Sequence, residues 1–419
     1  MLSSMHDAVV IGAGHNGLVA ANVLADAGWS VRIDEAEDEP GGAVRSGELV
    51  EPGFVNDRYS AFYPLAAASP VFRALGLEIP FRHGPLVLAH PAPDGSCAVL
   101  ERDGGDERFR RIEAALLRGM TTPFPQVRAA LALALDPAAA ALLRRPRDTL
   151  AARIREGNAR HTDVAPWSPV GRAFGMLLTE LGRRYGFPCV EGGAGRITEL
   201  LVARALARGV ELRLGERVDR LPPARRAVIA AVDVWELSRL TGRRARVAPD
   251  PATLKVDWTL DAPVPWTAEP TRRAPVVHLG GDGDFVLFGQ YSMADPTRAP
   301  AGKETAWAYS HDLRELDALE EQVERHAPGF RALVRGRRVE HLPPGSINLG
   351  TAAWRNELFL RPFHGRPETG IPHVYLGSAS AHPGGGVHGA PGWIAAQAAL
   401  RSASRRHART DVSFTISSR

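Results

Sequence analysis

The sequence predicts an α/β fold, in which a parallel sheet with crossover helices is joined to a second α+β unit. Two stretches carry this expectation. Ala8 to Ile11 is a short apolar run rich in β-branched residues, as a buried parallel strand should be, and it leads through a glycine-rich turn into the helical Leu18 to Ala27. At the far end, His373 to Gly377 reads as a strand, Ser378 to Gly389 as a second glycine-rich loop, and Trp393 to Ser404 as a helix.

The first turn has a specific chemistry. Gly12, Gly14 and Gly17 form the pattern G-x-G-x-x-G. Gly12 allows the tight turn, Gly14 lets backbone approach a pyrophosphate, and Gly17 lets helix and strand pack closely. Free N–H groups and the dipole at the helix start then hold phosphates. Gly28 is a fitting helix stop, Ser30 to Ile33 reads as the next strand, and an acid follows at Asp34 or Glu35. That acid stands about twenty residues beyond the turn, where the ribose hydroxyls of a dinucleotide would be held. Strand, turn, helix and acid together predict a Rossmann-type dinucleotide-binding domain, and the acid disfavours the 2′-phosphate of NADP.

Composition excludes several alternatives. With 419 residues, 44% hydrophobic and 23% charged, the chain has room for two or three packed units. Its pI of about 9.4 invites nucleic acid as a partner. Only Lys255 and Lys303 are lysines, however, and the arginines are scattered among acids, so no nucleic-acid partner is expected. Cys97 and Cys189 form no C-x-x-C pair, which leaves disulfide-reductase chemistry without a redox centre. The first strand begins within about ten residues, no signal peptide is evident, and no apolar run reaches about eighteen residues. A cytoplasmic enzyme is expected.

Along the chain, Glu39 to Arg45 places paired glycines, Gly41 and Gly42, where a cofactor could pass, with Arg45 available to a phosphate. Glu51 to Pro64 is aromatic and turn-rich, and suits a cofactor-covering loop. Phe72 to Leu100 reads as strands and turns of the second unit, Phe109 to Gly157 and Val170 to Arg183 as helical. Leu131 to Leu143 is apolar enough to touch a membrane or a greasy substrate, although helix packing is the commoner cause of such a run. His161 is expected in a solvated loop. Helix Ile197 to Arg208, strand Val210 to Leu214 and strand Ala227 to Val234 should return to the first sheet. Thr253 to Leu260, Pro275 to Leu279, Phe285 to Phe288 and Thr305 to Ser310 read as strands of the second unit, and Leu313 to His326 as a helix. The expected division is a nucleotide domain of 1–70, 190–240 and 340–405, a substrate domain of 71–189 and 241–339, and a loosely ordered tail of 406–419.

The N-terminal VVIGAGHNGLVAA…GGAVR and the C-terminal VYLGSASAHPGGGVHGAPGWIAA together resemble the phytoene-dehydrogenase-like FAD-dependent oxidoreductases, a branch of the flavin superfamily that includes amine oxidases. Intermediate stretches such as FPCVEGGAGRITELLVARALARGVEL and GQYSMADPTRAPAGKETAWAYSH are similar in the same order. The resemblance implies FAD, with Gly12, Gly14 and Gly17 at the pyrophosphate. It also implies Glu35, rather than Asp34, on the adenosine ribose, Val218 along the adenine, and the turn containing Gly385, Gly386 and Val387 against the flavin ring. Connections around Pro93 to Arg108, Arg217 to Arg226, Gly280 to Asp284 and Gly345 to Thr351 look shorter than is usual in the family. Substrate identity is therefore the weakest inheritance from it.

For chemistry beyond the cofactor, Lys255 is the main candidate. Its segment resembles the strand on which amine oxidases carry a lysine that holds a water at the flavin, and a compact deprotonatable amine is conspicuous in an arginine-rich chain. His388 is a candidate proton relay, with packing the rival role for it and for His382. Arg298 and Lys303 are read as structural. His6, His15 and His90 stand alone in sequence, and no metal site is expected. The expected function is removal of two hydrogens from an apolar or amphipathic small molecule, with oxygen, a quinone or another carrier as electron acceptor. The rivals are a flavin-dependent isomerase without net redox and a flavin-free carrier on the same fold.

Overall fold

The computed structural model describes residues 5–59, 61–122, 137, 140, 143–144, 148–244, 247–346 and 362–416. Leu131 to Leu143, apart from Pro137, Ala140 and Leu143, lies outside them, as do residues 347–361.

Five parallel strands stand in the order Val374–Leu376, Ala227–Ala230, Ala8–Ile11, Val31–Asp34, Glu211–Arg213. Ala8–Ile11 is central, with Ala8 opposite both Ala227 and Val31. Its residues are buried throughout, because helices cover both faces of such a sheet. On one face Leu18, Val19, Ile197, Leu201 and Ala395 join helices His15–Asp26, Gly195–Leu206 and Ala390–Ile416 into one core. On the other, Ile11, Val228 and Leu376 pack with Leu237 and Leu240 of helix Val234–Thr241. Chain segments from both ends and the middle thus build one domain, as the α/β reading expects.

The second sheet is mixed and seven-stranded, ordered Val334–Leu342, Thr253–Leu260, Glu304–Ser310, Val286–Gln290, Val276–Leu279, Leu88–Pro91, Cys97–Leu100. Strand alternation divides Thr253–Leu260 into two faces. Leu254, Val256, Trp258 and Leu260 face a core with Phe288, Phe330 and Leu319, sealed by helix Leu316–His326. Truncation of a buried aromatic such as Trp258 would cost about 3–5 kcal/mol. Lys255 and Asp257 lie on the opposite face, in register with Tyr309 and Trp307. That face is covered by helices Thr149–Ala159 and Pro169–Tyr185, which supply Ile154 and Leu178. Ser168 caps the second of these helices through Gly171 N, and Gly186, at φ +73°, ends it.

Several elements differ from the sequence reading. Strand Val334–Leu342 is hidden in the sequence by its charged, half-exposed alternation, and it crosses the expected boundary at 339/340 to join the second sheet. The apolar run from Ala227 ends as a strand at Ala230, and Asp233 then caps the helix Val234–Thr241 through Glu236 N. The last helix continues to Ile416, into the stretch expected as a loosely ordered tail.

Candidate functional site

The glycine turn and the helix behind it form an open cradle. Gly12 has φ +96°, and a Cβ there would meet Ala231 O at 3.0 Å. A Cβ on Gly17 would drive into Gly12 O, so this glycine sets the approach of helix to strand. Gly14 differs: nothing lies within 4 Å of where its Cβ would stand. No side chain caps helix His15–Asp26, and its first turn carries no acid. An uncapped, positively polarised helix start facing open space at a glycine is what an incoming pyrophosphate requires.

Glu35 closes one side of this cradle. It is buried, and its carboxylate accepts from Ala13 N at 2.6 Å and Glu37 N at 3.0 Å. Asp34 is committed instead to Arg32, at 2.9 Å. Between the two acids of the motif, the geometry leaves Glu35 beside the glycine turn. Gly42 packs on the other side, where its Cβ would lie 3.4 Å from Gly14 Cα, and Gly41 N donates to Ala13 O at 2.9 Å. Arg45 Nε donates to Gly42 O at 3.0 Å and its guanidinium lies near Glu37 and Glu39. Val218 packs half-buried against the cluster that holds Val228 and Leu237, and its carbonyl accepts from Arg239.

Both chain ends meet here. A Cβ on Gly392 would collide with Asn16 O, so that glycine lets the last helix lie against the first. The His15 imidazole bonds the backbone of Gly386, while its Nε2 is buried without a hydrogen-bond partner. Burial pushes its pKa down to about 4, so it is neutral near pH 7. Gly384 and Gly386, at φ +114° and +118°, shape the C-terminal turn, and Gly385, Gly386 and Val387 form one wall of a cavity.

This cavity, of about 180 Å³, lies between that turn and the second sheet. Phe62, Tyr63, Phe174, Trp307 and Tyr309 give it an aromatic lining, and Lys255, His161 and His311 bring the nitrogen groups. No aspartate or glutamate lines it among the described residues. Tyr59 and residues 61–64 of the aromatic stretch reach the site. Lys255 is almost fully buried, with Nζ 2.5 and 2.6 Å from the Asp257 carboxylate and 3.3 Å from Asp57 O. Burial pushes the Asp257 carboxyl up, opposed by Lys255 and Arg338. The lysine is held in one position by three acceptors.

The histidines divide. His388 is buried and its Nδ1 accepts from Ala390 N at 3.1 Å, at the start of the last helix, the backbone-bonding role weighed against a proton relay; it is not among the residues that line the cavity. His161 is no solvated loop residue. It follows helix Thr149–Ala159 in a turn that faces inward, and its Nε2 lies 2.9 Å from His278 Nε2. His90, alone in sequence, packs edge-on against His278 and bonds Gly280 O. Strand register and helix packing bring these three together from positions far apart, so no local motif could announce them. Among the described residues, no group of His, Cys, Asp or Glu is arranged to hold a metal ion.

Sequence reasoning also missed Asp57. Its fully buried carboxylate is paired with Arg298 at 3.2 Å and accepts from Ser46 Oγ at 2.6 Å and Ala194 N at 2.8 Å. Arg298, also fully buried, reaches Asp295, Val55 O and Val190 O and stacks over Tyr291 at 4.7 Å. This hub ties Ser46 and the Val190–Ala194 segment to the second sheet, where Thr305 donates to Arg298 O and Lys255 to Asp57 O. Lys303 pairs with Asp261 at the surface.

Comparison with known proteins agrees with this arrangement. Residues 7–173 match the model of the family described as FAD dependent oxidoreductase. Pyridine nucleotide-disulfide oxidoreductase domain-containing protein 2 of Mus musculus is 31% identical over 149 residues, covering 33% of this chain and 24% of that protein. A limonene dehydrogenase subunit of Castellaniella defragrans is 35% identical over 98 residues, covering 23% of this chain and 16% of that protein. The matching stretches thus span a quarter or less of these relatives' own lengths. The solved structure of cyclohexylamine oxidase from Brevibacterium oxydans IH-35A superposes with a TM-score of 0.61 at 16% identity, covering 96% of this chain and all of that one. Fold, family model and cradle agree on a Rossmann-type domain for FAD, joined to a second domain.

Proposed function

We propose that this chain is an FAD-dependent dehydrogenase or oxidase that removes two hydrogens from an apolar or amphipathic small molecule. The carrying observation is the aromatic cavity that ends on Gly385, Gly386 and Val387, with Lys255 fixed in its wall. Gly12, Gly14 and Gly17 would hold the pyrophosphate, Glu35 the ribose, and Gly42, Arg45 and Val218 the flanks of the nucleotide. FAD supplies the hydride-accepting chemistry when bound. The chain's own residues bind, orient and exclude water. Phe62, Trp307 and Tyr309 offer ring faces to an apolar substrate, and the helix start behind the glycine turn would favour negative charge near Gly386. Lys255, its Nζ held by Asp257 and Asp57 O, places a fixed buried amine at the cavity wall. The name of one relative, a limonene dehydrogenase, supports an apolar substrate. A quinone, oxygen or another carrier would take the electrons onward.

The test is anaerobic mixing of the FAD-loaded protein with a panel of apolar and amphipathic alkenes, alcohols, ketones and amines. Bleaching of the visible flavin band, with a two-hydrogen-poorer product, is expected from at least one class. Product of unchanged composition without bleaching would identify the isomerase instead. Lys255→Met should slow bleaching about a hundredfold, the lower end of the range for a positioned acid–base group. Full bleaching rate in this variant would remove Lys255 from the reaction.

A further inference from the structure

We infer that His278 locks His161 as a neutral hydrogen-bond donor at the cavity wall, so that the site selects uncharged substrates carrying an acceptor oxygen. The two Nε2 atoms, 2.9 Å apart, share one proton. The other nitrogen of His278 decides which ring owns it. His278 is fully buried and its Nδ1 has no hydrogen-bond partner. That nitrogen faces Gly157 so closely that a Cβ on the glycine would collide with it. An N–H pointing there would be an orphaned buried donor against a C–H, whereas a bare lone pair is the lesser loss. His278 therefore carries its proton on Nε2 and donates it to His161. His161, accepting at Nε2, must carry its own proton on Nδ1.

His161 Nδ1 makes no hydrogen bond among the described residues, and its ring lines the cavity. Burial holds its pKa near 4, so the ring is a neutral donor near pH 7. Lys255, the lysine of the lining, is paired with Asp257, and no lining carboxylate is described that would receive an alkylammonium. The inference rests on the oxidoreductase reading only for calling the occupant a substrate. The tautomer belongs to the folded chain itself.

Side-chain ¹⁵N NMR of the full-length, FAD-loaded protein tests it. The expected spectrum has His278 protonated at Nε2 and His161 at Nδ1; the reverse assignment overturns the inference. Acetophenone, toluene and benzylamine are then titrated while the His161 resonances are followed. Acetophenone should bind about fivefold tighter than toluene, the worth of one neutral hydrogen bond, and should shift His161 Nδ1. His161→Phe should erase that preference, and His278→Phe should mix the tautomers of His161. Tightest binding by benzylamine, or a preference that survives His161→Phe, overturns it. If the protein takes up no flavin, the oxidoreductase reading falls, while the same spectra still decide the tautomer.

Discussion

Gly14 and Gly17 stand three residues apart in one motif, yet the structure gives them opposite sensitivities. Gly14 has φ −63° and open space at its Cβ position, so Gly14→Ala fits the apo fold. Its stability should change by no more than about 1 kcal/mol, the reduced freedom of the unfolded chain roughly offsetting a poorer helix cap. The new methyl instead fills the space through which a pyrophosphate would reach the helix start. Losing two charge-assisted hydrogen bonds, each worth about 1.5–3 kcal/mol, costs at least about 3 kcal/mol, or roughly a hundredfold in FAD affinity. Gly17→Ala pushes its methyl into Gly12 O, and overpacking against backbone should cost the fold about 3 kcal/mol or more. Urea unfolding of the apo proteins and fluorescence titration with FAD separate the two effects. The reasoning fails if Gly14→Ala binds FAD within threefold of the parent, or if Gly17→Ala unfolds at the parent's midpoint.

Other outcomes follow from the same geometry. Arg298→Met strands the buried Asp57 carboxylate, and should lower stability by about 3–5 kcal/mol in urea unfolding, with the double variant Asp57→Asn/Arg298→Met recovering part of it. Acid should destabilise the fold. His15, His90 and His161 are held near 4 by burial and are neutral when folded, so unfolding takes up protons below the ordinary value of about 6.5. Stability should be full above about pH 6.5 and fall steadily toward pH 4, by up to about 3 kcal/mol for each such ring. Thermal unfolding across that range, repeated with His90→Phe, should show a shallower fall in the variant; an unchanged slope would contradict neutral burial.

The nucleotide side of the site is legible in the sequence because its chemistry is local. One turn, one helix start and one acid fall within the first strand–helix–strand unit, where spacing alone encodes geometry. Of the two acids offered by the spacing, Glu35 accepts from Ala13 N beside the glycine turn while Asp34 pairs with Arg32. The cavity side is legible only in part. Lys255 stands out by its residue type, whereas its partner Asp257, two residues along the same strand face, is one acid among many and carries no such signal. Asp57 with Arg298, and His161 with His278, are joined by tertiary packing across more than a hundred residues, beyond any pattern in the chain. Strand Val334–Leu342 escapes notice because an edge strand with charged, half-exposed residues lacks the apolar run that marks a buried one.

The most direct measurement is the absorbance spectrum of the purified protein, before and after acid precipitation and after incubation with FAD. The account predicts a flavin spectrum, with free FAD released into the acid supernatant and a colourless Gly14→Ala variant of unchanged fold. A folded parent protein that is colourless and takes up no added FAD would contradict it, and would move a flavin-free carrier on this fold to first place.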